Sequence, residues 1–121
     1  MNLKEFKKFC LSFDGVTENR PFDDENILAF NVMDKVFALT NTEDFNSINM
    51  KCDPVKASML RNLYEEVQTG EFLDKRHWNA VVPDGELDDE LIKEWIKDSY
   101  NIIVEDLPRK KQKKLEKMSK N

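Results

Sequence analysis

The chain has 121 residues, 36% of them charged, a formal net charge of −5, two cysteines and one histidine. That length supports a single domain with a real core and without disulfides or metal. Three glycines and four prolines exclude a low-complexity or linker-rich chain, and no apolar run approaches the roughly 20 residues needed to cross a bilayer.

The first element reads as a helix. Leu3, Phe6, Phe9, Cys10 and Phe13 recur at spacings of three and four. Asn2 and Glu5 form a capping-box pattern, and Gly15 suits the left-handed position after the helix. Residues 16–25, with Arg20-Pro21-Phe22 and Asp23-Asp24-Glu25, are too rich in breakers and acids for a regular element and read as a loop. Ile27, Leu28, Phe30 and Val32 read as a strand. Asp34-Lys35 fits a tight turn, and Val36 to Thr40 return as the second arm of a hairpin. Ser47 to Lys51 alternate as a third strand. Asp53-Pro54 is the clearest helix start in the chain, since Asp accepts from free amides and Pro needs no amide hydrogen at the first helical position. Val55, Met59, Leu60 and Leu63 are assigned to that helix's buried face. Residues 65–73 suggest a short strand or extended loop broken at Gly70, and residues 78–82 a further strand. The last helix starts at Asp88, presents an apolar stripe of Leu91, Ile92, Trp95, Ile96, Ser99, Tyr100 and Ile103, and is stopped by Pro108. The order α-β-β-β-α-β-β-α, with hairpin-length connections, predicts a two-layer α+β domain over residues 1–108, its antiparallel sheet covered on one face by helices.

Residues 109–121 form a basic tail with seven Lys/Arg and one acid, whereas residues 1–108 carry a net charge of −11. Such a tail attracts nucleic acid or an acidic partner, or is simply a solvated, frayed end.

Residues 74–82 concentrate the candidate chemistry. Lys75 and Arg76 can neutralise phosphates, Trp78 can stack on a base, and His77 and Asn79 can hydrogen-bond. The competing reading is architectural, with Trp78 and Val81 pointing inward and His77 and Asn79 holding a loop through bonds to the backbone. Lys51, beside the Asp53-Pro54 helix start, can join the free helix amides at an anion, or guard an edge strand. Cys52 and His77 are the one conceivable Cys–His pair, with no orienting carboxylate or oxyanion hole apparent in the sequence. Asp23-Asp24-Glu25 could hold a hard cation but reads better as a solvated loop, and no His/Cys spacing fits zinc. No cofactor, metal or catalytic residue is expected. The polar N-terminus lacks a signal-peptide core, so a cytoplasmic protein with free thiols and no membrane attachment is expected.

The segments Phe9-Cys10-Leu11, Asp14-Gly15-Val16, Arg20-Pro21-Phe22, Asn49-Met50-Lys51-Cys52-Asp53-Pro54, Lys75-Arg76-His77-Trp78-Asn79-Ala80-Val81, Asp98-Ser99-Tyr100 and Leu107-Pro108-Arg109-Lys110-Lys111, in that order, resemble the MmcQ/YjbR family over nearly the whole chain. The resemblance implies a frataxin-like (CyaY-like) fold and a non-enzymatic DNA-binding role through loops likened to a pair of wings. Asp23 stands where the family usually has a glycine after the Pro-Phe pair. On this reading Lys51, Lys75, Arg76, His77, Trp78 and Asn79 form the nucleic-acid or anion site. A protein–protein interaction module or a small-ligand binder is the alternative.

Overall fold

Asn2 starts the first helix as its pattern predicts. Its side chain accepts from the Glu5 amide at 2.8 Å, and the Glu5 carboxylate accepts from the Asn2 amide at 3.3 Å. In the structure, a computed structural model that describes residues 1–119, this helix, α1, spans Leu3–Leu11 and buries Phe6 and Cys10. Gly15 (φ 73°) then turns the chain into β1, Val16–Asn19.

That strand corrects the loop expected over residues 16–25. β1 pairs antiparallel with β2, Ile27–Val32, and the Asn31 side-chain amide donates to the Asn19 side-chain oxygen at 2.7 Å across the edge. Only Val16 of its four residues is even half-buried, so no apolar alternation announces it. Backbone pairing to a buried neighbour selects it instead.

β2 and β3, Lys35–Asn41, form the expected hairpin. The two residues of its turn, Met33 and Asp34, both take positive φ (48° and 65°), which matches the twist of the flanking strands. Then come β4 (Ile48–Lys51), α2 (Pro54–Leu63), β5 (Val67–Thr69), β6 (Trp78–Val81), α3 (Asp89–Asp106) and α4 (Arg109–Ser119). The six strands make one antiparallel sheet in the order β1-β2-β3-β4-β6-β5. The α+β class holds, while the element order gains β1 and α4 over the expected one.

Each face of the sheet has its own apolar layer. The main core joins Phe6 and Cys10 of α1, Ala57 and Leu60 of α2, and Ile92, Trp95 and Ile96 of α3 to one face. The opposite face buries Ile27, Ala29, Leu39 and Trp78 with Val36 and Phe72. Phe22 stacks on Phe72 at 6.1 Å, so loops rather than a helix cover this second layer.

Helix α2 is rotated from expectation. Ala57 and Leu60 are its buried residues, while Val55, Met59 and Leu63 face solvent. The polar contacts of the helix agree with this rotation. Lys56 Nζ reaches Asp98 at 2.7 Å and Arg61 reaches Asn79, so both must lie toward the body.

Residues 109–119 of the basic tail fold as α4, while Lys120 and Asn121 lie outside the described residues. Gln112 donates to the Glu105 and Leu107 carbonyls at 3.2 and 2.9 Å, and Leu115 is buried in the main core. The positive φ of Gly15 favours glycine, and a Cβ there would also come within 2.5 Å of a terminal methyl of Leu115, which would have to shift.

Leu115→Ala is expected to cost about 2–3 kcal/mol in denaturant unfolding and to speed amide exchange through α4. Unchanged stability would show that α4 is not seated by this residue.

Candidate anion-binding end of the sheet

Strands β4 and β6 set the geometry of the candidate residues. Lys51 pairs with Trp78 in register, and its ammonium lies 5.7 Å from the indole centroid, a cation–π contact. The ladder continues one step further through the Cys52 amide, which donates to the His77 carbonyl at 2.7 Å. On the other side of β6, the Gly70 amide donates to the Trp78 carbonyl at 2.8 Å, and a Cβ on Gly70 would sit 2.7 Å from Trp78 Cβ. Glycine is required for that approach. Successive residues of β6 then point to opposite faces. Trp78 joins the loop-covered layer, and Asn79 and Val81 turn toward the helices. Trp78 and Val81 are both buried, but in different layers.

Residues 74–77 are a self-tied turn. Asp74 accepts from the Arg76 amide at 2.9 Å through Oδ1 and lies 2.7 Å from His77 Nδ1 through Oδ2. The hydrogen bond from His77 holds the Asp74 carboxyl below the usual aspartate range. An orienting carboxylate for His77 therefore exists three residues upstream. Lys75 and Arg76 are left exposed on this turn.

Arg61 is the partner that the sequence reading missed. Its Nη1 donates to Asn79 Oδ1 at 2.6 Å and to the Lys75 carbonyl at 3.4 Å, while Asn79 Nδ2 donates to the Ala57 carbonyl at 3.3 Å. Eighteen residues separate Arg61 from Asn79. The only signal in the sequence was a cation in the last turn of a helix whose solvent face is otherwise uncharged.

The structure divides the six candidates. Lys51 and His77 line a shallow open depression of about 450 Å³ with Cys52, Asp53, Pro54 and the α3 residues Ile102, Glu105 and Asp106. Arg76 lines a separate one of about 470 Å³ with Pro54, Val55, Ser58 and Arg61. Lys75 is exposed nearby, whereas Trp78 and Asn79 are only 5% and 1% exposed. The first depression is mixed in sign, since three acids share it with Lys51. At the α2 start, Asp53 Oδ2 already accepts from the Lys56 amide at 3.1 Å, so the helix end offers an added anion less than the sequence suggests.

Cys52 is a buried free thiol, pushed above the usual thiol range chiefly by desolvation, with Lys56 pulling the other way. It is therefore protonated at neutral pH, the unreactive form. Beside it lies a cavity of about 20 Å³, large enough for one water at most. Among the described residues no group of three or more His, Cys, Asp or Glu side chains is placed to hold a metal ion. Asp24 of the acidic loop instead accepts from the Asn26 amide at 2.9 Å.

Asn79→Ala removes one acceptor of the Arg61 guanidinium, which keeps the Lys75 carbonyl, and an expected loss of about 0.5–1.5 kcal/mol would show in urea unfolding. Lys75→Ala and Arg76→Ala should each stay within about 0.5 kcal/mol of the parent. For Asp74 the folded carboxyl titrates below its unfolded value. The stability it adds is present above the ordinary aspartate range and is lost as pH falls through the folded titration. NMR titration should find that midpoint low in the parent and moved up toward the ordinary range in His77→Ala, with the Arg76 amide bond still holding it down in part. Equal midpoints would remove the His77 bond as the cause.

Comparison with known proteins matches this geometry to a family. A YjbR family model covers residues 11–102. The uncharacterised protein YjbR of Escherichia coli K12 is 30% identical over 116 residues, 95% of this chain and 98% of that protein. The uncharacterised protein YbdF of Escherichia coli O157:H7 is 30% identical over 110 residues, 90% and 89% of the respective chains. The crystal structure of Deinococcus radiodurans protein DR2400, which carries domain DUF419, superposes with a TM-score of 0.86 at 27% identity over 94% of this chain and 87% of that one. A Pseudomonas syringae protein shares the fold, with a TM-score of 0.71 at 22% identity over 84% and 98%. The match over most of the chain, by sequence and by fold, makes this protein a member of the YjbR family.

Proposed function

We propose that the chain is a small, non-enzymatic, cytoplasmic DNA-binding protein that grips phosphates through α4 and the turn at Lys75-Arg76. The observation that carries this reading is α4 itself. Leu115 seats the helix on the body, and Arg109, Lys110, Lys111, Lys113, Lys114 and Lys117 are all exposed. Preorganised cations lose less entropy on meeting a phosphate than the same residues on a frayed end.

The 74–77 turn supports the same end of the molecule. Lys51 and His77 share a depression with Glu105 and Asp106, and α4 begins only three residues after Asp106. The body of −11 repels DNA elsewhere, so contact is confined to this end. Trp78 and Asn79 act here by holding the turn, since both are buried. The six-stranded sheet with α1, α2 and α3 across one face supports the frataxin-like assignment. The protonated Cys52 and the small cavity beside it support a role without catalysis.

Anisotropy of a labelled duplex at two salt concentrations tests the reading. Affinity should fall steeply with salt, and Arg76→Ala should shallow the log–log slope by about 0.9. Exchange of Lys110, Lys113, Lys114 and Lys117 for Glu should abolish binding at low salt. Absent binding, or binding indifferent to salt, overturns it.

A further inference from the structure

Two arginines and a hydroxyl meet in the depression beside α2. Arg61, Arg76 and Ser58 line it with Pro54 and Val55, around an open volume of about 470 Å³. No carboxylate lines it, although the chain carries 24 Asp and Glu against 19 Lys and Arg. The adjoining depression, which shares Pro54, sets Asp53, Glu105 and Asp106 against Lys51. A positive recess free of acids is therefore a local arrangement rather than a property of this surface.

The two guanidiniums are held differently. Arg61 is half-buried, and its bonds to Asn79 and the Lys75 carbonyl both run through Nη1. That leaves Nη2 and Nε, which carry three of a guanidinium's five N–H donors. Anchoring one nitrogen also fixes the plane of the fork, so less freedom is lost when an anion binds. Arg76 is exposed, and its side chain enters no salt bridge among the described residues. Ser58 lies three residues before Arg61 on the same side of α2 and adds a hydroxyl.

We propose, resting on the DNA-binding reading that already gives Arg76 a phosphate, that this recess takes the phosphate monoester at the end of a DNA strand, with Arg61 and Ser58 as its further partners. A phosphate monoester carries about −1.5 to −2 charge at neutral pH and three free oxygens. An internal phosphodiester carries a single charge and two free oxygens. Two guanidiniums and a hydroxyl match the monoester, and each fork can span two oxygens. α4, with its exposed cations, begins three residues after Asp106 of the adjoining depression, and so meets the diesters that follow the terminal phosphate. A phosphorylated peptide is the weaker fit, since it offers α4 no continuing polyanion.

Anisotropy of the full chain with one blunt duplex, made with 5′-hydroxyl or with 5′-phosphate ends, tests this. The phosphorylated duplex should bind about tenfold tighter, the worth of one hydrogen bond to a charged group. Ser58→Asp places an acid in the recess and Arg76→Ala removes a cation. Each should bring the ratio of the two affinities close to one, with folding checked by circular dichroism. Lys113→Ala, on α4, should weaken both duplexes alike and keep the ratio. Equal affinities in the parent overturn the proposal and leave the DNA-binding reading standing, whereas no binding of either duplex overturns both. A ratio that survives Ser58→Asp and Arg76→Ala places the phosphate elsewhere and overturns it. So does a phosphoserine peptide bound in the recess with no preference between the duplexes.

Discussion

The bond from Arg61 to Asn79 is the contact on which the rest of this end of the molecule depends. Asn79 sits on β6, between β4 and the edge strand β5, and its side chain faces the helix layer. A buried amide must find partners or cost several times the worth of an ordinary hydrogen bond. Arg61 and the Ala57 carbonyl supply both. Both contacts agree with the roll of α2 on the sheet. Ala57 and Leu60 go inward, and Val55, Met59 and Leu63 are left outside. The same guanidinium reaches the Lys75 carbonyl and so ties the 74–77 turn to the helix. One polar contact thus links the strand, the roll of the helix and the position of the exposed cations.

The electrostatic design follows a division of labour. Three cations near the sheet end make contacts within the protein: Lys51 lies over Trp78, Lys56 holds Asp98, and Arg61 holds Asn79, while Lys75 and Arg76 beside them stay exposed. The cations of α4 instead stay exposed, because Leu115 and Gln112 do the anchoring. A surface helix needs few apolar residues when its packing site is a glycine turn, where one leucine can close against the backbone. The net charge of −5 therefore describes neither half of the molecule.

Legibility in the sequence tracked burial and local chemistry. The Asn2–Glu5 box, the Asp53-Pro54 start and the α3 stripe all act within a few residues, and all three appear where the pattern places them. β1 was hidden because an exposed edge strand has no apolar period to display, and its selection comes from β2. The face of α2 was misread for the opposite reason. Val55, Met59 and Leu63 keep a clean helical spacing, but the contacts of the other face, from Lys56 to Asp98 and from Arg61 to Asn79, join residues 42 and 18 apart in the chain. The six candidate residues come from one segment and one strand end, but which of them reach solvent depends on strand alternation and on Arg61.

Cys52 and His77 show why proximity alone does not make a dyad. Their backbones are bonded, and Asp74 orients the imidazole, so three residues of a nucleophilic constellation stand in one neighbourhood. The thiol, however, is desolvated and held protonated, and Asp53 and Asp98 raise it further. Activation requires the reverse, an electropositive setting that favours thiolate. The His77–Asp74 bond instead closes a turn whose middle residues, Lys75 and Arg76, are exposed cations. The histidine is thus the clasp of that turn.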